Sequence, residues 1–125
     1  MNKVEAKRIF SSILLLLKNE DTTNFEKDYA EDMQCHFNSE DLTLEGLRLR
    51  IAFFIEHFHV IEVKIEDFIF ENKKAAIRFF IKVRNKKNGE ELEDHAFYFY
   101  HFEDNQVIES WVLTKLPINN KNLVA

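Results

Sequence analysis

The chain has 125 residues, of which 46% are hydrophobic, 14% aromatic and 31% charged, which suits one folded domain and excludes a mainly disordered chain. Its net charge of −5 argues against nonspecific nucleic-acid binding, which depends on Lys and Arg neutralising phosphates. The single Cys excludes an internal disulfide and fits a reducing compartment, so we expect a cytoplasmic protein.

The first predicted element is an amphipathic helix over about residues 3–18. Apolar side chains recur there at three- and four-residue spacing between Ala6 and Leu17, while Lys7 and Ser11 mark the opposite face. Basic residues before an apolar run look a little like a signal peptide, but no small-residue cleavage site follows. The run is also far shorter than the roughly 20 residues of a membrane span, so we expect no membrane partner.

Two further helices and a short strand are predicted in the first half of the chain. Thr23-Asn24-Phe25-Glu26 matches a capping box, which predicts a short second helix. Residues 33–37 are a short strand candidate. Apolar residues at helical spacing predict a third helix over about 46–58, with Gly46 as its N-cap.

The second half of the chain has the period of two that is typical of strands. Asn88-Gly89 is a strong turn signal between two of them. Strands joined by short turns are antiparallel, and helices segregated on one face of such a sheet define an α+β domain. We therefore expect three helices to cover one face, with a loosely ordered tail from Asn119. The predicted strands cover residues 60–70, 75–84, 92–102 and 107–116.

The strand over 92–102 is aromatic on both faces, although a face open to water normally alternates apolar with polar residues. Helices can cover only one face, so the other would be an exposed apolar patch, and such patches usually mark an interface. We therefore predict a homodimer formed across the back of the sheet. The alternative is that the termini fold over this face. The predicted interface residues are Phe97, Phe99, His101 and Trp111.

An ordered set of segments resembles a known family over nearly the whole chain. Together they are similar to the nuclear transport factor 2-like superfamily and, within it, to the SnoaL-like group of small proteins. The resemblance implies a single domain over residues 1–118, in which a cone-shaped, curved antiparallel or mixed sheet wraps around three N-terminal helices, followed by a tail over 119–125. The segments are Tyr29–His36, Leu44–Gly46 with Ile51–Phe54, Ala75–Phe79 and Phe102–Trp111.

The resemblance leaves the activity open, because the family includes ketosteroid isomerases, polyketide cyclases and dehydratases as well as proteins that only bind ligands or scaffold complexes. The isomerase's tyrosine, base and acidic oxyanion positions fall here at Ile13, Phe37 and Tyr98. Two apolar residues thus replace a donor and a base, and Thr114 stands where the last strand often carries an acidic residue. We do not expect ketosteroid isomerase chemistry.

The cone implies a deep apolar pocket, for which the alternation of the strands supplies a wall and the third helix a roof. A few hydroxyl groups among apolar side chains suit a flat apolar ligand. The alternative is that thirteen Phe side chains fill the cone and leave no cavity. The predicted pocket residues are Phe37, Phe54, Phe58, Ile77, Phe79, Tyr98, Tyr100, Ser110, Val112 and Thr114.

The candidates for acid–base chemistry are His36, which can titrate near neutral pH, and Tyr98. His36 lies beside the family's base position, but its side chain can equally point away from the pocket. If the strand faces are assigned the other way round, Arg78, His95 and Glu109 become the charged groups of the pocket.

His57-x-His59 lacks an identifiable third ligand, so we predict no metal site and no cofactor.

Three functions remain open from the sequence. The leading hypothesis is a pocket that binds a small apolar molecule without a complete catalytic set. The second is a SnoaL-like isomerase, cyclase or dehydratase that transfers a proton next to a carbonyl. The third is an interaction module that uses the sheet face.

Overall fold

The structure, a computed structural model, describes residues 1–117; the tail predicted from residue 119 lies outside them. Within these residues the chain forms two α-helices, a short 3₁₀ helix and six strands. The helices are α1 (Lys3–Asn19), the 3₁₀ helix (Phe25–Asp28) and α2 (Leu44–His57). The strands are β1 (Tyr29–Phe37), β2 (Glu40–Thr43), β3 (Phe58–Glu71), β4 (Lys74–Asn85), β5 (Glu91–Glu103) and β6 (Gln106–Leu113).

The six strands form one mixed sheet in the order β2-β1-β6-β5-β4-β3. All neighbours are antiparallel except β1 and β6, which pair in parallel. The hairpin turns at Asn72-Lys73 and Asp104-Asn105 place both residues at positive φ, the turn geometry that matches strand twist. Irregular register within β1, β3 and β6 bends the sheet.

Both α-helices pack on the inner face of this bent sheet. In α1, Phe10 is fully buried and meets the rings of Phe79 and Tyr98 edge-on, with ring centroids 5.3 and 5.2 Å apart. In α2, Phe54 packs on Phe58 at 5.5 Å. The α+β cone predicted from the sequence is therefore confirmed, with the core between the helices and the hollow side of the sheet.

The predicted count of three helices is wrong, because the second is only a single 3₁₀ turn. Asn24 takes a left-handed φ of 65°, and the Thr23 amide donates to Asp21 Oδ1 at 2.9 Å. An N-cap residue needs extended backbone and a side chain that accepts from the helix, so the capping box does not form. The chain then enters β1 at Tyr29, four residues before the predicted strand.

The start of α2 also differs from the prediction. Thr43, not Gly46, is the N-cap: its Oγ1 accepts from the Gly46 amide at 3.1 Å. Before it, the four-residue strand β2 pairs with β1 through a turn in which Asn38 has a φ of 53°. This strand is short and half-exposed, so it carries little of the periodicity that predicts longer strands.

The last strand ends at Leu113, three residues before the predicted end. Side chains then replace strand partners: the Thr114 amide donates to Asn38 Oδ1 at 3.0 Å, and the Lys115 amide to Asp94 Oδ2 at 2.7 Å. The segment after β6 is thus held by side chains rather than by the sheet.

Candidate functional site

A narrow cavity of about 40 Å³ lies between the two helices and the inner face of the sheet. This is room for no more than a few water molecules. Its wall is almost entirely apolar. It is lined by Ile13, Leu14, Leu17, Phe37, Leu47, Arg50, Ile51, Phe54, Phe79, Ile81, Tyr98, Val112, Thr114 and Leu116.

The residues predicted to form a pocket divide into two groups. The lining includes Phe37, Phe54, Phe79, Tyr98, Val112 and Thr114. The other four are buried in the core without lining the cavity: Phe58, Ile77, Tyr100 and Ser110. Much of the cone is filled by Phe10, whose ring also lies 6.0 Å from that of Tyr100. Sequence reasoning placed Phe10 on the apolar face of α1 but did not recognise that it would fill the cone.

Tyr98 presents a polar group to this apolar wall. Its hydroxyl forms no hydrogen bond with another residue of the described part of the chain. Burial raises the pKa of Tyr98 well above its usual value. The hydroxyl therefore stays protonated near neutral pH and can donate a hydrogen bond, but it cannot act as a base.

Arg50 is the charged residue of the lining within residues 1–117, and the sequence analysis did not single it out. Its side chain is 15% exposed and forms an ion pair with Glu40 at the start of β2. The guanidinium carbon lies 5.1 Å from the centre of the Phe37 ring, a cation–π contact. The helical spacing of α2 indicated only its apolar face, so nothing in the pattern separated Arg50 from a solvated residue.

Thr114 closes a small hydrogen-bond network beside the cavity. Its hydroxyl donates to Asp94 Oδ2 at 2.8 Å and accepts from the Leu116 amide at 3.1 Å. The proton of the hydroxyl is already used, so Thr114 offers a ligand an acceptor at most. Leu116 also lines the cavity and belongs to the segment after β6, which lies outside the sheet.

His36, the leading acid–base candidate, lies on the outer face of the sheet. Its ring is held between Glu109 Oε2 at 2.6 Å and Asp41 Oδ1 at 2.7 Å, and it stacks on Trp111 at 5.1 Å. Hydrogen bonds to Glu109 and Asp41 raise the pKa of His36. The imidazole does not line the cavity, so it cannot serve there as a base.

The charged groups of the reversed-face alternative also lie on the outer face. His95 Nδ1 lies 2.7 Å from Glu66, and Arg78, which donates to Asp67 at 2.8 Å, lies 3.8 Å from the same Glu66. Glu109 holds His36 instead. Arg78 and His95 thus share Glu66 on the outer face, Glu109 belongs to the group around His36, and none of the three lines the cavity.

The two histidines at the junction of α2 and β3 have different partners. His57 Nδ1 donates to the Phe53 carbonyl at 2.8 Å, and His59 faces Glu20 at 3.4 Å. No group of three His, Cys, Asp or Glu side chains that could hold a metal occurs among residues 1–117.

The outer face carries a contiguous apolar surface, here called the back patch. The strand register brings its members together in adjacent rows on β3 to β6. Its most exposed members are Ile69, Phe97, Trp111 and Leu113, with exposed fractions of 64%, 49%, 37% and 58%. The predicted interface residues Phe99 and His101 lie on the same face, half-buried. These apolar residues themselves line a shallow groove of about 540 Å³.

The described residues contain no helix that is both long enough and apolar enough to cross a bilayer.

No family model and no curated protein matches the sequence. Solved structures do match. A proposed SnoaL-like polyketide cyclase from Mesorhizobium loti is 21% identical, with 86% of this chain and 97% of that chain covered and a TM-score of 0.66. A proposed isomerase from Bacillus subtilis is 8% identical, with coverages of 98% and 95% and a TM-score of 0.82.

A third match is a protein with a ketosteroid isomerase-like fold from Catenulispora acidiphila, in complex with trimethylamine. It is 10% identical, with 84% of this chain and 83% of that chain covered and a TM-score of 0.73. At such identities these likenesses show the fold alone. The chain has the nuclear transport factor 2-like fold, as the resemblance in its sequence predicted.

Proposed function

We propose that this protein is a SnoaL-like protein that binds a small apolar molecule in the cavity of the cone and has no set of residues for proton transfer. One observation carries the proposal: within the described chain, the lining is apolar except for Arg50, Tyr98 and Thr114. Pockets for small molecules have this composition, with few polar groups that fix orientation.

The size of the cavity limits the ligand to a slender molecule. A cavity of about 40 Å³ holds only part of such a molecule, so side chains at the edge of the cavity must move to admit the remainder of the ligand. Leu116 is suited to this, because its segment has left the sheet and its own amide is held by a side chain.

The lining also argues against proton-transfer chemistry. It contains neither carboxylate nor imidazole among residues 1–117, and the phenol of Tyr98 keeps its proton. By resemblance, Ile13 and Phe37 occupy the donor and base positions of the isomerases. General-base catalysis needs a basic group within hydrogen-bond reach of the substrate, and residues 1–117 place no carboxylate or imidazole in the lining.

Methyl NMR with 1-hexanol, a slender neutral probe, tests the proposal. We expect saturable shifts at the methyl groups of Ile13, Ile51 and Leu116, which line the cavity. Leu17→Phe should weaken these shifts by adding volume to the lining. The matched control Leu15→Phe, on an exposed residue of the same helix, should leave them unchanged. No shift at the lining methyls, or shifts confined to the back patch, would overturn the proposal.

We further propose that the protein is a homodimer joined through the back patch. Four of the large apolar residues that remain exposed in the single chain lie together there, whereas the others are scattered. Contiguous exposed apolar surface of this kind is characteristic of protein interfaces.

The free thiol of Cys35 suits a reducing compartment, which supports a cytoplasmic location.

A further inference from the structure

We infer that the ligand of the cavity carries a carboxylate, which pairs with Arg50 while its apolar part lies among the Leu, Ile and Phe side chains. This inference rests on the proposed function, because it assigns a chemical class to the ligand of the same cavity. It depends on three observations: the position of Arg50, the nature of its present partner, and the unused hydroxyl of Tyr98.

Arg50 combines a charge with an apolar setting. Its side chain is only 15% exposed, borders the cavity and lies over the ring of Phe37, which also lines it. A guanidinium in such a setting needs an anion, because a half-buried charge without a partner is costly. It also disfavours a cationic ligand such as an amine.

Glu40 now supplies that anion and indicates how a ligand would replace it. Its carboxylate pairs with Arg50 Nη2, yet its side chain is 41% exposed. A carboxylate that gains water on leaving Arg50 pays less for the exchange than a buried one would. A ligand carboxylate would take the same place, and Arg is suited to it because its planar donors match a carboxylate.

Tyr98 offers a second donor inside the cavity. Its hydroxyl has no partner among the described residues and keeps its proton near neutral pH. An oxygen acceptor on the ligand would satisfy it, whereas a pure hydrocarbon would not. This hydroxyl therefore also favours a ligand with an oxygen.

Three probes of one length separate this inference from the proposed function: hexanoate, hexanamide and 1-hexanol, titrated at neutral pH against the full chain. We expect hexanoate to bind roughly tenfold more tightly than hexanamide, with shifts at the same lining methyls. If 1-hexanol binds and hexanoate shows no preference over hexanamide, the inference of a carboxylate ligand is wrong, while the proposed apolar binding site stands. Failure of all three probes would overturn the proposed function itself.

Two variants and one control variant test whether Arg50 and Glu40 determine the preference for hexanoate over hexanamide. Arg50→Gln should abolish the preference for hexanoate, and Glu40→Gln should increase it, since Arg50 then loses its competing carboxylate. Arg48→Gln removes an equal charge from the same helix at a residue outside the lining, paired with Glu45, and should change neither. If Arg48→Gln lowers hexanoate binding as much as Arg50→Gln does, the preference reflects net charge and the inference fails. Should Arg50→Gln fold poorly, the comparison of probes in the wild-type chain and Glu40→Gln still decide it.

Discussion

Two tyrosine hydroxyls face each other in the buried core of the cone. The oxygens of Tyr29 and Tyr100 lie 3.2 Å apart, and the rings also pack edge-on. Burial raises the pKa of both phenols, so both remain neutral and each serves as the other's partner. Removing one of these two hydroxyls would therefore leave the other buried without its hydrogen-bond partner, whereas removing both would not.

Tyr100→Phe tests this pairing. It leaves the hydroxyl of Tyr29 buried without its partner, so we expect a loss of about 1–3 kcal/mol in the free energy of unfolding, measured by urea denaturation. The double variant Tyr29→Phe/Tyr100→Phe removes both hydroxyls and should be more stable than the single variant. Additive losses in the double variant would show that the two hydroxyls do not act together.

His36 gives a prediction about pH. Glu109 and Asp41 face its ring, Trp111 packs on it, and the hydrogen bonds to the carboxylates raise its pKa above the ordinary value of about 6.5. The protonated form is favoured more in the folded chain than in the unfolded one. The stabilisation is therefore complete below pH about 6.5 and is lost as pH rises through the raised pKa.

NMR titration of the imidazole measures this directly. The midpoint of His36 should lie above that of a model peptide, and Glu109→Gln should lower it. A midpoint of His36 at or below the ordinary value would refute the role given to the two carboxylates.

At the level of secondary-structure elements, the residue that caps the start of α2 can be tested by substitution. The sequence analysis took Gly46 as the N-cap, but Thr43 caps the helix and Gly46 lies inside it. We expect Thr43→Ala to lower the free energy of unfolding by about 1 kcal/mol, since it removes the acceptor for the Gly46 amide. Gly46→Ala should raise it by up to about 1 kcal/mol, because alanine favours helix.

Space permits the second substitution, since a Cβ on Gly46 would lie 3.4 Å from the nearest atom, an ordinary contact. Thermal or urea unfolding of both variants measures the two effects. Destabilisation by Gly46→Ala together with no effect of Thr43→Ala would restore the original assignment.

The predictable elements are those whose signals are local. The hairpins of β3 to β6 follow from alternation along the chain and from turns at Asn88-Gly89 and Asp104-Asn105, so their bounds agree to within three residues. By contrast, β2 depends on pairing with β1, and β6 ends where Asn38 and Asp94 capture its amides. These contacts join residues distant in sequence, which no periodicity can reveal.

The same limit applies to the candidate site. Alternation placed Phe79, Tyr98 and Val112 on one face, and all three line the cavity. The filling of the cone by Phe10 and the position of Arg50 depend on how two helices pack on a bent sheet. The sequence therefore indicated the wall of the cavity but neither its size nor its charge.

At the level of the whole molecule, we predict a homodimer joined through the back patch. Leu113→Glu places a charge in the back patch and should convert the dimer to a monomer, since the interface would have to bury that carboxylate. Leu49→Glu is its matched control, because Leu49 is 56% exposed on α2, against 58% for Leu113. Light scattering coupled to size exclusion gives the mass of each. A wild-type monomer at high concentration, or equal effects of the two variants, would contradict the proposed interface.

Xenon binding shows whether the cone contains an apolar site able to take a small molecule. Xenon binds apolar cavities without needing a hydrogen bond or a charge. In crystals pressurised with xenon, we expect a xenon atom between Phe37, Phe54 and Val112. Crystals in which that place stays empty, with xenon only on the outer face of the sheet, would contradict it.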